Sequence, residues 1–335
     1  MVIMDVEMTE VCGTDVHLLH GQLPDTPYPL VPGHFACGRV RETVGPVLSA
    51  EGRELRPGDL ITYLDVHGTC GRCWYCEVAQ ATTRCPSRRV YGITLGAEDG
   101  PFGGWCEQMA LLPGTRIVHL DGIAPETFIG GGCGLATGLH AVERAGIRLG
   151  DTVAVQGAGP VGMNAALLAR LKGATEVLMI GGPEERLAAA RERGISATLD
   201  LEGTTPEERV EWVRERTGGR GADVTIEATG VPGAVAEGMR MTRDAGIFAV
   251  VGQYTDAGSL TLNPHHDLNR KHLDVRAVWG IDYGHLYRSL RVLRRYADEM
   301  RWEGFLTRTY PLEEAAAALD DVAGGRVVKA ALRPG

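Results

Sequence analysis

The sequence predicts an α/β chain of two domains, an all-β barrel-like unit followed by a doubly wound parallel sheet. Three observations predict it. A short apolar strand at 152–156 runs through Gly157-Ala-Gly159-Pro160-Val161-Gly162 into an Ala- and Leu-rich stretch at 163–172 that stops at Gly173, a natural residue to end a helix. From residue 151 onward strand and helix patterns alternate. The earlier part carries only short strand-like pieces broken by Gly and Pro. At 335 residues the chain has room for two hydrophobic cores.

In order, residues 2–11 read as a strand opening on Cys12-Gly-Thr14-Asp15-Val-His17, and a proline-rich loop at 23–32 leads to Gly33-His34. Strand-like pieces recur at 61–64 and around Ala110. Among them lies Cys70-Gly-Arg-Cys73-Trp-Tyr-Cys76, with Cys85 beyond. Around Ile129 the texture changes to the glycine-rich Gly130-Gly-Gly-Cys133-Gly, before a helix at 139–145. The sheet domain adds strands at 176–180, 222–228, 246–252 and 273–279. Its helices fall at 206–217 and at 183–193, the latter with Pro at its start and Gly194 at its end. Helices at 285–299 and 312–322 and a strand at 327–332 close the chain.

Composition narrows the function. A net charge of −9 gives no extended basic surface for nucleic acid. No apolar run reaches the ~18–20 residues of a membrane span. The amino terminus has neither a basic n-region nor an apolar h-region, so a cytoplasmic location is expected. Eight cysteines in such a chain favour metal binding over disulfides.

Three motifs carry chemistry. Strand, Gly-x-Gly-x-x-Gly and helix in succession form a dinucleotide fingerprint: Gly157 permits the tight turn, Gly159 the approach of a pyrophosphate, and Gly162 close helix–strand packing. The helix N-terminus presents its N–H groups to the phosphates. The C-x2-C-x2-C-x8-C cluster can place four thiolates round one tetrahedral zinc with no open position, a structural site. Disulfides are the alternative, but three cysteines at two-residue intervals suit turns round one ion better. Cys12, His34 and Cys133 are far apart in sequence. Brought together they would leave zinc a fourth position for water or substrate; singly, they read as small buried thiols and a hydrogen-bonded turn residue.

With Gly103-Gly-Trp105-Cys-Glu107 and Glu227-Ala-Thr-Gly230, these segments resemble the zinc-dependent medium-chain alcohol dehydrogenase family over nearly the whole chain. The resemblance implies a GroES-like catalytic domain at 1–134 and 280–335, a Rossmann domain at 135–279 and an active site in the cleft between them. It implies Cys12, His34 and Cys133 as ligands of a catalytic zinc. Cys70, Cys73, Cys76 and Cys85 match the structural zinc, the last gap being one residue longer than the commonest pattern. Thr14 and His17 match a proton relay, Asp15 a carboxylate that orients His34, and Trp105 and Val66 a substrate pocket. Gly157, Gly159, Pro160, Val161 and Gly162 match the phosphate loop. Val251, Gly252, Ala277 and Trp279 match the segments holding the nicotinamide amide, and Lys329 a basic residue that meets the cofactor phosphates. The implied reaction is hydride transfer between NAD(P) and a secondary alcohol, polyol, sugar or cyclitol, in a homodimer or homotetramer.

Three departures bear on that carry-over. Phe35 stands where the family usually has a Glu that approaches the metal from behind, which predicts a purely three-ligand site. The acid expected about 20 positions after the first glycine to bind the ribose hydroxyls is missing, because the strand ends in Gly181-Gly182-Pro183. Arg186 is the nearest cation for a 2′-phosphate, but Glu184 and Glu185 would repel one, so NAD is favoured over NADP. Relatives carry roughly one more hairpin before Cys12, which implies either an upstream start or a barrel lacking an edge. Two further readings stand beside alcohol oxidation: epimerisation or elimination with retained NAD, and a non-catalytic binding protein, against which Thr14, His17 and the ligand triad argue. His265-His266, the basic run at 269–272 and the arginines between Arg288 and Arg295 read as solvated surface, and Cys37 and Cys106 as ordinary buried thiols.

Overall fold

Strand β1 (Val2–Val11) is the hub of the first unit, pairing antiparallel with three other strands. Its buried residues alternate at Val2, Met4, Val6 and Met8, as a strand with one covered face requires; from Thr9 to Val11 every residue is buried. The computed structural model describes residues 1–195 and 197–335, in two units: Met1–Cys133 with Gly280–Gly335, and Gly134–Trp279.

After β1 come helix α1 (Gly13–Leu19), strands β2 (Ala36–Thr43), β3 (Leu60–Tyr63) and β4 (Val66–His67), the single-turn helix α2 (Trp74–Glu77), and strands β5 (Arg89–Val90), β6 (Gln108–Leu111) and β7 (Ile117–His119). Helix α3 (Pro125–Ala145) is broken at Gly132, whose φ is 56°. The sequence predicted only its second half, because glycine costs about 1 kcal/mol per helical residue relative to alanine. Packing overrides that cost: a Cβ on Gly130 would lie 2.1 Å from the Trp302 carbonyl oxygen, so the small residue permits the contact.

The second unit runs β8 (Thr152–Gln156), α4 (Pro160–Leu171), β9 (Glu176–Gly181), α5 (Glu184–Glu192), β10 (Ala197–Asp200), α6 (Pro206–Arg216), β11 (Ala222–Glu227), α7 (Pro232–Met241), β12 (Thr242–Val250) and β13 (Asp274–Ala277). The six strands are all parallel, in the order β10-β9-β8-β11-β12-β13. Two elements escaped the sequence reading. Strand β10 has no apolar run of its own and exists through pairing with β9. Helix α7 contains Gly233 and Gly238, yet a Cβ on Gly238 would lie 2.2 Å from Gln156 Oε1, so that glycine serves close packing on the sheet.

The chain then returns to the first unit through α8 (Tyr283–Met300), β14 (Leu306–Pro311), α9 (Ala315–Ala323) and β15 (Lys329–Arg333). The sheet there runs β14-β15-β1-β2-β3-β7, with β6 also paired to β1. The arginines Arg288, Arg291, Arg294 and Arg295 are exposed on α8. Among the described residues, no helix is long and apolar enough to cross a membrane.

Candidate active site

Topology brings three distant ligand candidates together in the first unit. β1 delivers Cys12 at its end. β2 begins just after His34 and pairs with β1 in the register Thr9–Ala36. Cys133 follows the break at Gly132. One donor atom from each of the three lies within 4.8 Å of the others. Cys12 and His34 are buried and Cys133 is half-buried. Gly33 makes the approach possible: its φ is +91°, and a Cβ would meet Trp105 Cδ1 at 2.4 Å.

The electrostatics describe a cluster short of positive charge. Burial by itself would lower the His34 pKa, but the charges of Cys12, Asp15, Asp65 and Glu10 outweigh it and raise the imidazole to about 9. The hydrogen bond with Cys12, then burial, hold the Cys133 thiol well above its ordinary range. His34 Nδ1 is buried without a hydrogen-bond partner. Two sulfurs and an imidazole are a donor set suited to zinc, and a dication would relieve both the repulsion and the orphaned nitrogen.

Glu10 is the site residue that sequence reasoning missed. It is 1% exposed, and Lys329, 2% exposed, meets its Oε1 at 2.8 Å. Oε2 accepts the Cys133 backbone N–H at 2.8 Å, and Oε1 lies 3.5 Å from Cys133 Sγ. Lys329, expected to meet the cofactor phosphates, has its buried ammonium paired with Glu10. One correction follows: the metal candidates are not without a neighbouring carboxylate. Phe35 is a core residue, 3% exposed and stacked on Phe128 with ring centroids 4.9 Å apart, and the acid comes from β1 instead. A sequence signal existed: Glu10 lies two residues before Cys12 in a strand, hence on the same face.

Asp15 is spent differently from expectation. Its Oδ2 accepts the Cys12 backbone N–H at 2.9 Å, capping α1, and its Oδ1 has no hydrogen-bond partner. It therefore acts on His34 through charge and not through a hydrogen bond. Thr14 and His17, three residues apart on α1, share a face. Gln22 Oε1 stands 2.6 Å from His17 Nδ1 and fixes the ring. The Trp105 indole N–H donates to the Glu10 carbonyl at 3.2 Å. Val66 lines a cavity of about 660 Å³ with His67, Arg116, Asp282 and His285, whose walls do not include Trp105.

The four-cysteine lobe converges as well. Cys73 and Cys76 sulfurs are 3.5 Å apart and those of Cys70 and Cys85 3.7 Å. A disulfide would need about 2.05 Å, whereas four sulfurs about 2.3 Å from one zinc stand about 3.8 Å apart. All eight cysteines are free thiols. The backbone N–H of Arg72 leads the effects that lower the Cys70 pKa to about 6, so this sulfur is a ready thiolate.

In the second unit the glycine loop joins β8 to α4 at the switch point of the strand order, where open parallel sheets bind ligands. Gly157 has φ +103°; a Cβ on Gly162 would lie 1.9 Å from the Gly157 carbonyl oxygen; a Cβ on Gly159 would meet nothing within 4 Å. Turn, packing and open approach thus fall to different glycines, with Pro160 and Val161 half-buried between them. Gly181 is small for a reason the sequence did not reveal: a Cβ there would lie 2.6 Å from the Ala158 nitrogen of this loop. Arg186 on α5 is half-buried, and burial lowers its pKa. Val251 is buried, Ala277 exposed, and Trp279 stacks on Tyr254 with centroids 5.9 Å apart. Glu227, fully buried, ties the loops after β11 and β12: Oε1 accepts from Thr229 and Gly230 N–H at 2.7 and 2.9 Å, and Oε2 from Gly252 N–H at 3.2 Å.

Comparison with known proteins agrees with this chemistry. One family model, an alcohol dehydrogenase GroES-like domain, matches residues 1–122, and another, a zinc-binding dehydrogenase, matches residues 160–295. The 5-exo-hydroxycamphor dehydrogenase of Pseudomonas putida is 32% identical over 95% of this chain and 88% of its own. An alcohol dehydrogenase structure from Thermotoga maritima superposes with a TM-score of 0.94 at 32% identity, over 100% of this chain and 92% of that one. A zinc-binding dehydrogenase from Sinorhizobium meliloti 1021, solved with NADP, gives a TM-score of 0.87 at 28% identity, over 99% and 92% of the two chains.

Proposed function

The chain belongs to the zinc-dependent medium-chain alcohol dehydrogenase family, and on that premise we propose that Cys12, His34 and Cys133 hold its catalytic zinc and that its substrate is a secondary alcohol. The enzyme interconverts an alcohol and its carbonyl compound with a pyridine nucleotide. The observation that carries the site assignment is the convergence of those three residues within 4.8 Å, apart from the four-cysteine lobe.

Bound zinc and nicotinamide supply, respectively, a Lewis acid for the substrate oxygen and the acceptor of hydride. The chain's own residues do the rest. Cys12 and Cys133 bind as thiolates and His34 as a neutral imidazole. Thr14 Oγ1 takes the alcohol proton, and His17 carries it to solvent, its ring held by Gln22. Trp105 walls the substrate space. Gly157, Gly159 and Gly162 cradle the dinucleotide phosphates at the start of α4. The first-turn acids Glu184 and Glu185 of α5 disfavour a 2′-phosphate near Arg186, which supports NAD over NADP. The ring alcohol named by the P. putida relative supports a secondary alcohol as substrate. The family resemblance supports two zinc ions per chain and a cytoplasmic homodimer or homotetramer.

The test joins metal analysis to turnover. Two zinc ions per chain are expected, falling to one in Cys133→Ala, together with NADH release when secondary alcohols, polyols, sugars and cyclitols are offered with NAD. One zinc in the parent and an unchanged content in Cys133→Ala would sink the catalytic assignment. Turnover without net NADH would favour epimerisation with retained cofactor.

A further inference from the structure

Strand β9 ends without the acid that would bind a ribose, but the neighbouring strand β10 ends in one. Asp200 is the last residue of β10 and the register partner of Gly181. The two strands are parallel, so both residues stand at the carboxyl edge of the sheet, where open α/β sheets take their ligands. The pairing continues past the strands, the Leu201 N–H donating to the Gly181 carbonyl at 2.7 Å. At the same edge the Gly157 N–H donates to the Ile180 carbonyl at 2.7 Å. The glycine loop, the end of β9 and the end of β10 therefore lie side by side.

Two adjacent glycines divide this edge. Gly181 is closed, since the space for its Cβ is taken by Ala158 of the glycine loop. Gly182 is open: beyond its chain neighbours, a Cβ there would meet within 4 Å only Asp200 Oδ1, at 3.4 Å. The Asp200 carboxylate thus stands beside the turn at which β9 would ordinarily deliver its acid.

One oxygen of that carboxylate is committed and the other is not. Oδ1 accepts the Glu202 N–H at 2.9 Å, and Thr204 Oγ1 donates to the Asp200 carbonyl at 2.9 Å, which fixes the side chain in a tight turn. Asp200 is half-buried, and among the described residues nothing donates to Oδ2 and no cation pairs with the carboxylate. Arg191 of α5 is engaged elsewhere, by Glu184 and by Thr198 Oγ1 at 2.9 Å. The turn needs only one acceptor oxygen, which leaves a charged oxygen at the ligand edge for a donor.

We propose that Asp200 supplies from β10 the ribose-binding carboxylate that β9 lacks. Its Oδ2 accepts from the adenosine 2′-hydroxyl of NAD and repels the 2′-phosphate of NADP. This rests on the reading of Gly157–Gly162 as the dinucleotide cradle and of NAD as the favoured cofactor.

Binding to the full chain, followed by nucleotide fluorescence, tests this without turnover. The parent and Asp200→Asn are each titrated with NADH, with its analogue lacking the adenosine 2′-hydroxyl, and with NADPH. Asn is the deciding substitution because its amide oxygen can still accept the Glu202 N–H and keep the turn. The parent should bind NADH about tenfold or more tighter than the 2′-deoxy analogue, the worth of one hydrogen bond to a charged group. In Asp200→Asn that ratio should shrink severalfold, and NADPH should bind more tightly than it does to the parent. The ratio compares two nucleotides on one protein, so a loss of folded material does not alter it. A ratio unchanged in Asp200→Asn, or affinities for NADH and its analogue that fall together, leaves Asp200 a turn residue and overturns the proposal. A parent that prefers NADPH refutes the NAD reading itself, and one that binds neither nucleotide refutes the cradle. Both differ from a parent that prefers NADH beside a variant that does not diverge from it.

Discussion

At residue scale, the position that would ordinarily carry a ribose-binding acid is closed by packing. A side chain at residue 181 would press on the Ala158 nitrogen and Cβ, at 2.6 and 2.7 Å, in the middle of the glycine loop. Backbone cannot yield there without moving the phosphate cradle. Gly181→Asp is therefore expected to weaken NAD and NADP together, raising KM for each about tenfold or more, and not to sharpen the preference for NAD. Tighter NAD binding with loss of NADP, measured as kcat/KM for both cofactors, would show that the loop yields and the carboxylate reaches the ribose.

At element scale, two contacts decide what holds secondary structure in place. Helices α6 and α7 are joined by Arg209 and Glu237, two parallel N–H to oxygen bonds of 2.8 Å between side chains 9% and 8% exposed. Glu237→Gln leaves the guanidinium buried beside a neutral amide, and breaking such a pair from one side costs about 3–5 kcal/mol. Urea unfolding should show that loss in its midpoint; a shift worth under about 1 kcal/mol would place the pair with weak surface ion pairs. Helix α2 is a single turn of four residues, with none of its side chains buried. A helix that short does not persist alone, so an ion bound between the thiols of Cys70, Cys73, Cys76 and Cys85 is expected to supply its order. Stripping metal should open 70–85 to proteolysis while the rest of the chain stays resistant. An uncut, metal-free lobe would contradict this.

At the scale of the whole molecule, the two units differ in how far their sheets depend on distant sequence. All six strands of the parallel sheet come from one continuous stretch, Gly134–Trp279. In the other unit, β1 pairs at Thr9, Glu10 and Val11 with β15, at the far end of the chain. A fragment of residues 134–279 should melt cooperatively by itself, followed by circular dichroism. A fragment of residues 1–133 keeps Cys12, His34 and Cys133 but lacks Lys329 and the strand that covers Glu10, and it should fail to retain triad metal. Stoichiometric retention by that fragment would show that β15 is dispensable to the site.

What the sequence determined by itself is what a short window carries. Strand period and glycine conformation specify β8, the Gly157–Gly162 turn and α4, because each depends on neighbours a few residues away. The cysteine lobe is likewise contained in one loop, so its spacing alone predicts the convergence of its four sulfurs. The first half of α3, β10 and α7 were not legible, since their own residues form regular structure weakly and only packing or pairing makes them persist. Only the tertiary structure could place Lys329 on Glu10, assign Gly181 to packing, and turn Asp15 toward the Cys12 backbone. The reason is physical: a buried charge or a missing Cβ is decided by whatever stands opposite it, and for Glu10 that partner lies on a strand at the other end of the chain.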